Sequence, residues 1–319
     1  MSLTAFAAAL LTVPAPPAIA TAPSLATPAA VTPIGDEAED LLTGRDRVQR
    51  MTVPVLVNGA GPYPFVVDTG ADRSVVSRRL QAELALPHDG AVTLHGITGA
   101  ETIQTARVAR MGVGKREIAD VRAPVLSEGN LGARGMLGID AINDQRVTMD
   151  FKANRMTIAP APRREQRDSD EIVVTARRRF GQLILADMRI DGRKVYAIID
   201  SGAENSIGNT ELMTLLENKR IGRPLSVTLT SVTGATTVAS LRKVPKIVIG
   251  GVTLVNIPIA FADIHTFRQF GIGDKPAMLI GMDVLRIFER VSLDFRQKRV
   301  RFRLRDDEGA SAVQQLAGL

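Results

Sequence analysis

The chain has 319 residues, no cysteine and a formal net charge of +6, and its length suits about two domains of ordinary size. Apolar residues make up 45% and charged residues 23% of the sequence, as in typical globular proteins. The lack of cysteine excludes disulfides and thiolate metal sites. His88, His95 and His265 lack the spacing of a metal site or a Ser/His/Asp triad, so no metal and no other cofactor is expected.

The positive charge does not indicate a nucleic-acid partner. The sequence has no tryptophan and only two tyrosines, so the aromatic side chains that stack on bases are scarce. Arginine clusters at 163–164 and 177–179 are expected to be solvated linker and strand edge. Weak attraction to an anionic membrane surface is a further use for this charge.

The first twenty residues have the features of a signal peptide. An apolar run from Leu3 leads into prolines and then Ala18-Ile19-Ala20, and small residues at alternate positions before Thr21 match a signal-peptidase site. No Lys or Arg precedes Arg45, so the usual basic start is missing, and the alternatives are that the true start lies upstream or that the stretch is disordered. Residues 1–20 are therefore predicted to direct export.

Residues 21–50 are predicted to form a flexible N-terminal segment, with a bound pro-segment as the alternative. They are rich in Ala, Pro and Thr and then acidic from Asp36 to Asp40. From Met51 onward, short Val, Ile and Leu runs alternate with Gly, Pro and Asn or Asp, which is typical of many short strands. The sequence therefore predicts an all-β fold.

Four markers recur in the same order along this β region. The first is VVDTGADRSV at 66–75, repeated without a gap as IIDSGAENSI at 198–207. The other three pair residues 94–102 with 229–237, 136–140 with 279–283, and 149–155 with 293–299. Four markers in register predict a duplication.

The duplication divides the chain into two halves with connecting segments. The predicted boundaries are a first half at 51–160, a linker at 161–180, a second half at 181–304 and a tail at 305–319. The tail is polar and rich in small residues, so it is expected to fray.

Each copy of the first marker predicts a strand that ends by presenting a carboxylate on a sharp turn. Gly70 and Gly202 allow the backbone to bend and bring its N–H groups toward Asp68 and Asp200. One such turn alone would be half of a site, and two of them, one from each half of the chain, would complete it.

The hydroxyls of Thr69 and Ser201 can bond across to the opposite half and lock the two turns together. Two carboxylates held this close cannot both ionise cheaply, so they share a proton, and one acts as an acid while the other activates water. Asp68 and Asp200 are therefore the predicted catalytic pair.

At these residues the sequence resembles the retropepsin-like aspartic peptidases, and the resemblance covers both halves. Asp68-Thr69-Gly70-Ala71-Asp72 is similar to the family's active-site loop. Leu137-Gly138 and Ile280-Gly281 resemble its second signature, which precedes a short helix. Asp140 and Asp283 are expected to start those helices.

The resemblance implies two pseudo-symmetric retropepsin-like (acid protease) β-barrel halves with one short helix each. It also implies a monomer, in which fusion replaces the family's usual homodimer. Ile139 and Met282 stand where an Arg normally follows the second-signature glycine, so Asp72 and Glu204 are expected to find other partners.

Two hairpins occupy the places where the family has its flaps. The residues predicted to close over substrate are Ile97, Thr98 and Gly99 in the first half and Val232, Thr233 and Gly234 in the second. A glycine near each tip suits a turn that needs positive φ, and flap mobility would gate access to the site. Plain surface hairpins are the alternative.

The resemblance implies an aspartic endopeptidase that binds protein or peptide substrates in an extended conformation. The alternative is a catalytically silent peptide-binding or assembly protein of the cell envelope. Ala71 and Ala203 stand where gastric-type enzymes carry Ser or Thr, and the missing hydroxyl predicts a milder pH optimum.

Residues 170–178, DEIVVTARR, resemble the TonB box of outer-membrane TonB-dependent receptors. This resemblance implies a periplasmic protein with envelope or TonB-system partners, which would bind the segment by strand addition. The alternative is that the segment is the first strand of the second half, packed between the two halves.

Overall fold

The computed structural model of the chain describes residues 50–142, 145–161, 170–179, 181–185, 187–216 and 223–305, together with the backbone of four short strands before residue 50. Those strands, β1 to β4, are Thr4–Ala7, Leu11–Val13, Glu39–Leu42 and Gly44–Arg45. The signal-peptidase site at 18–21 and the tail from residue 306 lie outside the described residues.

The first half alternates apolar and polar residues in short strands and buries the apolar positions, as in a sheet with one face on a core. Its strands β5 to β13 are Met51–Val57, Ala60–Val67, Val75–Ser77, His88–His95, Ala100–Val113, Arg116–Leu126, Gly135–Leu137, Gln145–Asp150 and Arg155–Pro160. Its helices α1 to α3 are Arg78–Glu83, Glu128–Leu131 and Ile139–Ile142.

The second half repeats this order of elements. Its strands β14 to β25 are Glu171–Arg179, Gln182–Leu185, Met188–Ile190, Arg193–Lys194, Tyr196–Ile199, Ile207–Gly208, Leu225–Ser231, Thr236–Ile249, Val252–Phe261, Ala277–Ile280, Arg290–Asp294 and Arg299–Arg303. Its helices α4 to α6 are Thr210–Leu216, His265–Gln269 and Met282–Leu285. The predicted all-β class with two retropepsin-like halves is confirmed.

The described part of each half contains three short helices, where the sequence predicts one. The longest, α1 and α4, have six and seven residues, which is too short to show a helical period in an apolar sequence. Side chains start both: Ser77 Oγ accepts the Leu80 N–H at 3.0 Å, and Asn209 Oδ1 accepts the Leu212 N–H at 3.0 Å.

Two parallel strand pairs aim the active-site loops. Strand β6 runs parallel to β11, with Val67 opposite Leu137, and β18 runs parallel to β23, with Ile199 opposite Ile280. All four residues are buried, and each ends an apolar stretch of its strand, as expected where a strand is buried on both faces. Asp68 follows the last residue of β6, and Asp200 follows the last residue of β18.

A six-stranded sheet joins the halves, in the order β14-β25-β24-β12-β13-β3. Its central strands β12 and β24 come from different halves and pair antiparallel. The ion pairs Arg146–Asp294 and Arg290–Asp150 flank them, each with 3.1 Å between guanidinium and carboxylate. Arg146 is equivalent to Arg290 in the repeat, and Asp150 is equivalent to Asp294. Each ion pair is therefore the counterpart of the other, and the interface keeps the symmetry of the duplication.

Two segments that the sequence predicts to be flexible or to link the halves contribute strands. Within residues 21–50, β3 pairs with β13 and β4 pairs with β5, and Arg50 is fully buried. Within the predicted linker, residues 171–175 pair with β25 and residues 176–179 with β15. Residues 171–178 of the segment that resembles a TonB box thus already pair with strands of the second half.

Candidate active site

Asp68 and Asp200 lie together between the two halves, and both are fully buried. The two active-site loops can come this close because a glycine lies two residues after each aspartate. A Cβ built at Gly70 would lie 2.5 Å from Cγ of Asp200, and one at Gly202 would collide with the carboxyl of Asp68. Only glycine therefore allows each loop to pack against the carboxylate of the other.

Backbone N–H groups of its own loop hold each carboxylate. Asp68 Oδ1 accepts from Gly70 and Ala71 at 2.7 and 3.1 Å. Asp200 Oδ1 accepts from Gly202 and Ala203 at 2.9 and 3.1 Å. Within the described ranges no other protein group donates to Oδ2 of either carboxylate, so Oδ2 of each is left for the proton and the reactant.

The hydroxyls of Thr69 and Ser201 lock the two loops across the interface. Thr69 Oγ1 donates to the Ile199 carbonyl and accepts the Ser201 N–H, both at 3.1 Å. Ser201 Oγ donates to the Val67 carbonyl at 2.8 Å and accepts the Thr69 N–H at 3.1 Å. These four buried bonds are reciprocal, so a displacement of one aspartate carries the other with it.

Burial makes the carboxylate pair hard to ionise. It raises the pKa of Asp200 to about 6. Burial, together with the negative charge of Asp200, raises the pKa of Asp68 well above its usual value. One proton is therefore shared by the pair over a range of pH in which isolated aspartates would both be ionised.

A serine in each half ties the active-site loop to the second signature. Ser74 Oγ accepts the Gly138 N–H at 3.1 Å and donates to the Asp140 carboxylate at 2.7 Å. The second half repeats this at 3.0 and 2.6 Å with Gly281, Ser206 and Asp283. Sequence reasoning missed both serines, although each is the sixth residue after its aspartate within the first marker.

Asp140 and Asp283 lie in the first turns of α3 and α6, each of which begins one residue earlier. Their side chains also reach the active-site loops, where the backbone N–H groups of Ser74 and Ser206 donate to them at 3.0 and 2.9 Å. Asp283 keeps a contact with its own helix start as well, since its Oδ1 accepts the Val284 N–H at 2.7 Å.

Backbone contacts link the positions where the family usually has an Arg. The Ile139 N–H donates to the Ala71 carbonyl at 2.8 Å, and the Met282 N–H donates to the Ala203 carbonyl at 2.8 Å. The Asp140 N–H donates to the Asp72 carbonyl at 3.3 Å, and the Asp283 N–H donates to the Glu204 carbonyl at 3.0 Å. Main-chain hydrogen bonds therefore join the two signatures in each half.

The hairpins β8–β9 and β20–β21 each reach into the opposite half. Ile97 is 1% exposed and packs in an apolar cluster of the second half, while Val232 is 0% exposed and packs in one of the first. The glycines near the tips, Gly99 and Gly234, have φ of +149° and +94°, which confirms the predicted turn geometry. The tips are not plain surface hairpins.

Further contacts fasten the hairpins across the interface. Thr233 Oγ1 donates to the Glu101 carboxylate at 2.6 Å, while Thr98 is half-buried. The rings of His95 and His265 stack, with 2.9 Å between Nδ1 and Nε2. The two hairpins are therefore joined to each other, and the first is also joined to α5 of the second half.

The first strand of each hairpin also accepts a further strand. Strand β2 pairs antiparallel with β8, and β1 pairs parallel with β20. In the described ranges no group of three or more His, Asp or Glu side chains is placed to hold a metal ion.

The sequence profile of a family described as Aspartyl protease matches the chain twice, at residues 53–141 and 186–284. Each match contains one active-site loop, one hairpin and one second signature, and together they cover more than half of the chain. No curated protein matches it. The chain therefore belongs to the aspartyl protease family, as a single chain in which two retropepsin-like halves are fused.

Proposed function

We propose that this protein is an aspartic endopeptidase that hydrolyses peptide bonds in extended protein segments. The observation that carries the proposal is the buried carboxylate pair, in which Asp68 and Asp200 are held by matching backbone donors and burial raises the pKa of both. Burial keeps a carboxylic acid and a carboxylate side by side, which is the pairing that acid–base hydrolysis needs.

In the proposed reaction the ionised carboxylate takes a proton from water, and the water oxygen attacks the scissile carbonyl carbon. The protonated carboxyl gives its proton to the carbonyl oxygen, so a neutral tetrahedral diol forms. Proton transfer to the amide nitrogen then breaks the C–N bond and releases a carboxylic acid and an amine. No covalent bond to the protein forms at any step.

The hairpins support an extended peptide as the substrate. Their first strands accept further strands in opposite relative directions, β2 antiparallel and β1 parallel. A single extended peptide that crosses a two-fold cleft meets the two hairpins in this way, and its backbone would bind by strand addition. Ile97 and Val232 have to withdraw from the opposite half to admit it.

Hydrolysis of a denatured protein distinguishes the peptidase from the catalytically silent peptide-binding or assembly protein. We expect the wild type to cleave a reduced, unfolded substrate and Asp68→Asn to bind the same substrate without cleaving it. Asn keeps the size of the side chain, so loss of cleavage with binding intact isolates the chemistry. Binding without cleavage by the wild type would favour the silent protein.

We also propose that the protein is exported to the periplasm, on the strength of its apolar start and the Ala18-Ile19-Ala20 sequence. None of the described helices is both long and apolar enough to span a membrane. Sequencing the N-terminus of protein recovered from the periplasm should give Thr21 as the first residue. A cytoplasmic protein that keeps its first twenty residues would contradict export.

A further inference from the structure

Two buried residues in equivalent positions reach across to the opposite active-site loop. Arg50 and Gln182 each lie eighteen residues before the aspartate of their half, and both are 0% exposed. Arg50 Nη1 donates to the Gly202 carbonyl at 2.9 Å, and Gln182 Nε2 donates to the Gly70 carbonyl. Each residue therefore lies beneath the loop that carries the other half's aspartate.

The two residues make the same kind of contact but differ in charge. Arginine stays protonated in proteins, whereas the glutamine amide is neutral. Arg50 Nη2 also donates to the Leu131 carbonyl, so several carbonyl dipoles hold the cation in place. A buried charge acts strongly on its neighbours because little water screens it.

The electrostatics of the pair agree with a cation at this place. The positive charge of Arg50 lowers the pKa of Asp68 and of Asp200, against the larger upward effect of burial. No such charge acts from Gln182. The two carboxylates thus have equivalent backbone donors, whereas a cation is bonded to the loop of Asp200 and a neutral amide to the loop of Asp68.

Within the first markers and the second signatures, the acidic residues come in equivalent pairs, one member in each half: Asp72 with Glu204, and Asp140 with Asp283. One other charge differs between these segments, that of Arg73, whose equivalent is Asn205. Arg73 is half-buried, and its charge lowers the pKa of Asp140.

We propose that Arg50 is a positioning residue that makes the two aspartates unequal: its charge beneath the loop of Asp200 favours an ionised Asp200 and leaves the shared proton on Asp68. In the proposed reaction Asp200 then takes the proton from water and Asp68 protonates the carbonyl oxygen. This order of proton transfers rests on the proposed function, whereas the inequality itself can be measured without turnover.

The difference in pKa between the two aspartates is measured in variants that each keep only one of the two carboxyls. Asp200→Asn isolates Asp68, Asp68→Asn isolates Asp200, and carbon-13 NMR of labelled aspartate follows the remaining carboxyl with pH. We expect Asp200 to titrate roughly one pH unit below Asp68, the size of effect that a nearby opposite charge produces. Equal titration of the two carboxyls would overturn the proposal.

Arg50→Gln gives each half the same residue and should remove the difference, and Gln182→Arg should also shrink it, because a second cation lowers the pKa of Asp68. Arg50→Lys keeps the charge and should keep the difference. If Arg50→Gln fails to fold, Gln182→Arg tests the proposal with Arg50 in place. A difference that survives a folded Arg50→Gln, or that Gln182→Arg leaves unchanged, would overturn it.

Arg73→Asn is the matched control, since it also replaces an arginine by its equivalent in the other half. It should leave the difference in place, and loss of the difference in this variant would assign the asymmetry to Arg73 instead. None of these titrations bears on whether the wild type cleaves protein, so this inference and the proposed function can fail separately.

Discussion

The alanines after the two active-site glycines set the conditions under which the pair can work. Ala71 and Ala203 offer the carboxylates their backbone N–H groups and no hydroxyl. Burial meanwhile raises the pKa of Asp200 to about 6 and raises the pKa of Asp68 well above its usual value. The singly protonated pair forms as pH rises through its lower pKa and persists until pH exceeds the higher one, so activity should extend to weakly acidic and near-neutral pH.

Replacing both alanines by serine should move the pH–activity profile toward acid. Each new hydroxyl would donate to an ionised carboxylate, and a hydrogen bond to the charged form lowers its pKa. We expect the acidic limb of kcat/KM to shift down by about half a unit to one unit. A wild-type optimum confined to strongly acid pH, unchanged by the two serines, would contradict this explanation.

The hairpins are elements whose stability depends on residues far from their own turns. Ile97→Ala and Val232→Ala would each remove a side chain buried in the opposite half, and such truncations cost on the order of 1 to 4 kcal/mol. Local opening should therefore become at least about fivefold more frequent. Hydrogen exchange at the hairpin amides measures this.

Val238→Ala is the control, because Val238 lies on β21 of the second hairpin and is 70% exposed. It should leave exchange at the tips unchanged. If the two tip variants exchange no faster than this control, the buried tips do not hold the hairpins closed.

The strands and loops of the site were predictable from sequence because their signals are local. An apolar pair followed by Asp, a hydroxyl residue and Gly marks the end of a buried strand, and its repetition at Asp200 indicates the partner loop. Positive φ at Gly99 and Gly234 follows from residue type in the same way.

The contact that Arg50 makes had no such signal. Arg50 and Gly202 are 152 residues apart in the chain, and Arg50 lies just before the repeat, in a segment whose composition predicts flexibility. The role of Asp140 was missed for a related reason, since its partner Ser74 is 66 residues away. Tertiary contacts of this kind add to the local preference of Asp for helix starts, which Asp140 keeps by its place in the first turn of α3.

At the scale of the molecule, the interface ion pairs offer a comparison within one protein. The Asp294 side chain is 0% exposed and pairs with Arg146, whereas Asp150 is 18% exposed and pairs with Arg290. Both aspartates also accept a backbone N–H of the following turn at 2.7 Å. The two sites thus differ mainly in burial.

Asp294→Ala should lower the free energy of unfolding more than Asp150→Ala. Removing one partner of a buried pair costs about 3 to 5 kcal/mol, because the other charge stays buried without it, and a more exposed pair contributes about 1 kcal/mol or less. Urea unfolding of both variants measures the difference. Equal losses would show that burial does not decide the strength of these pairs.

Fusion of the halves should also make the protein a monomer. Each half supplies one loop, one hairpin and one of the two central strands of the interface sheet, so the site is complete without a second chain. Solution scattering should give the mass of a single chain over a wide range of concentration. A mass of two chains that persists on dilution would contradict this expectation.

The central claim is that Asp68 and Asp200 of one chain form one catalytic site, and the most direct test compares two variants alone and mixed. Asp68→Asn and Asp200→Asn should each abolish cleavage of an unfolded protein, and an equimolar mixture should stay inactive, because every chain lacks one carboxylate. Cleavage by Asp200→Asn alone, from Asp68 paired with Asp68 of a second chain, would contradict the account, and so would activity that returns on mixing.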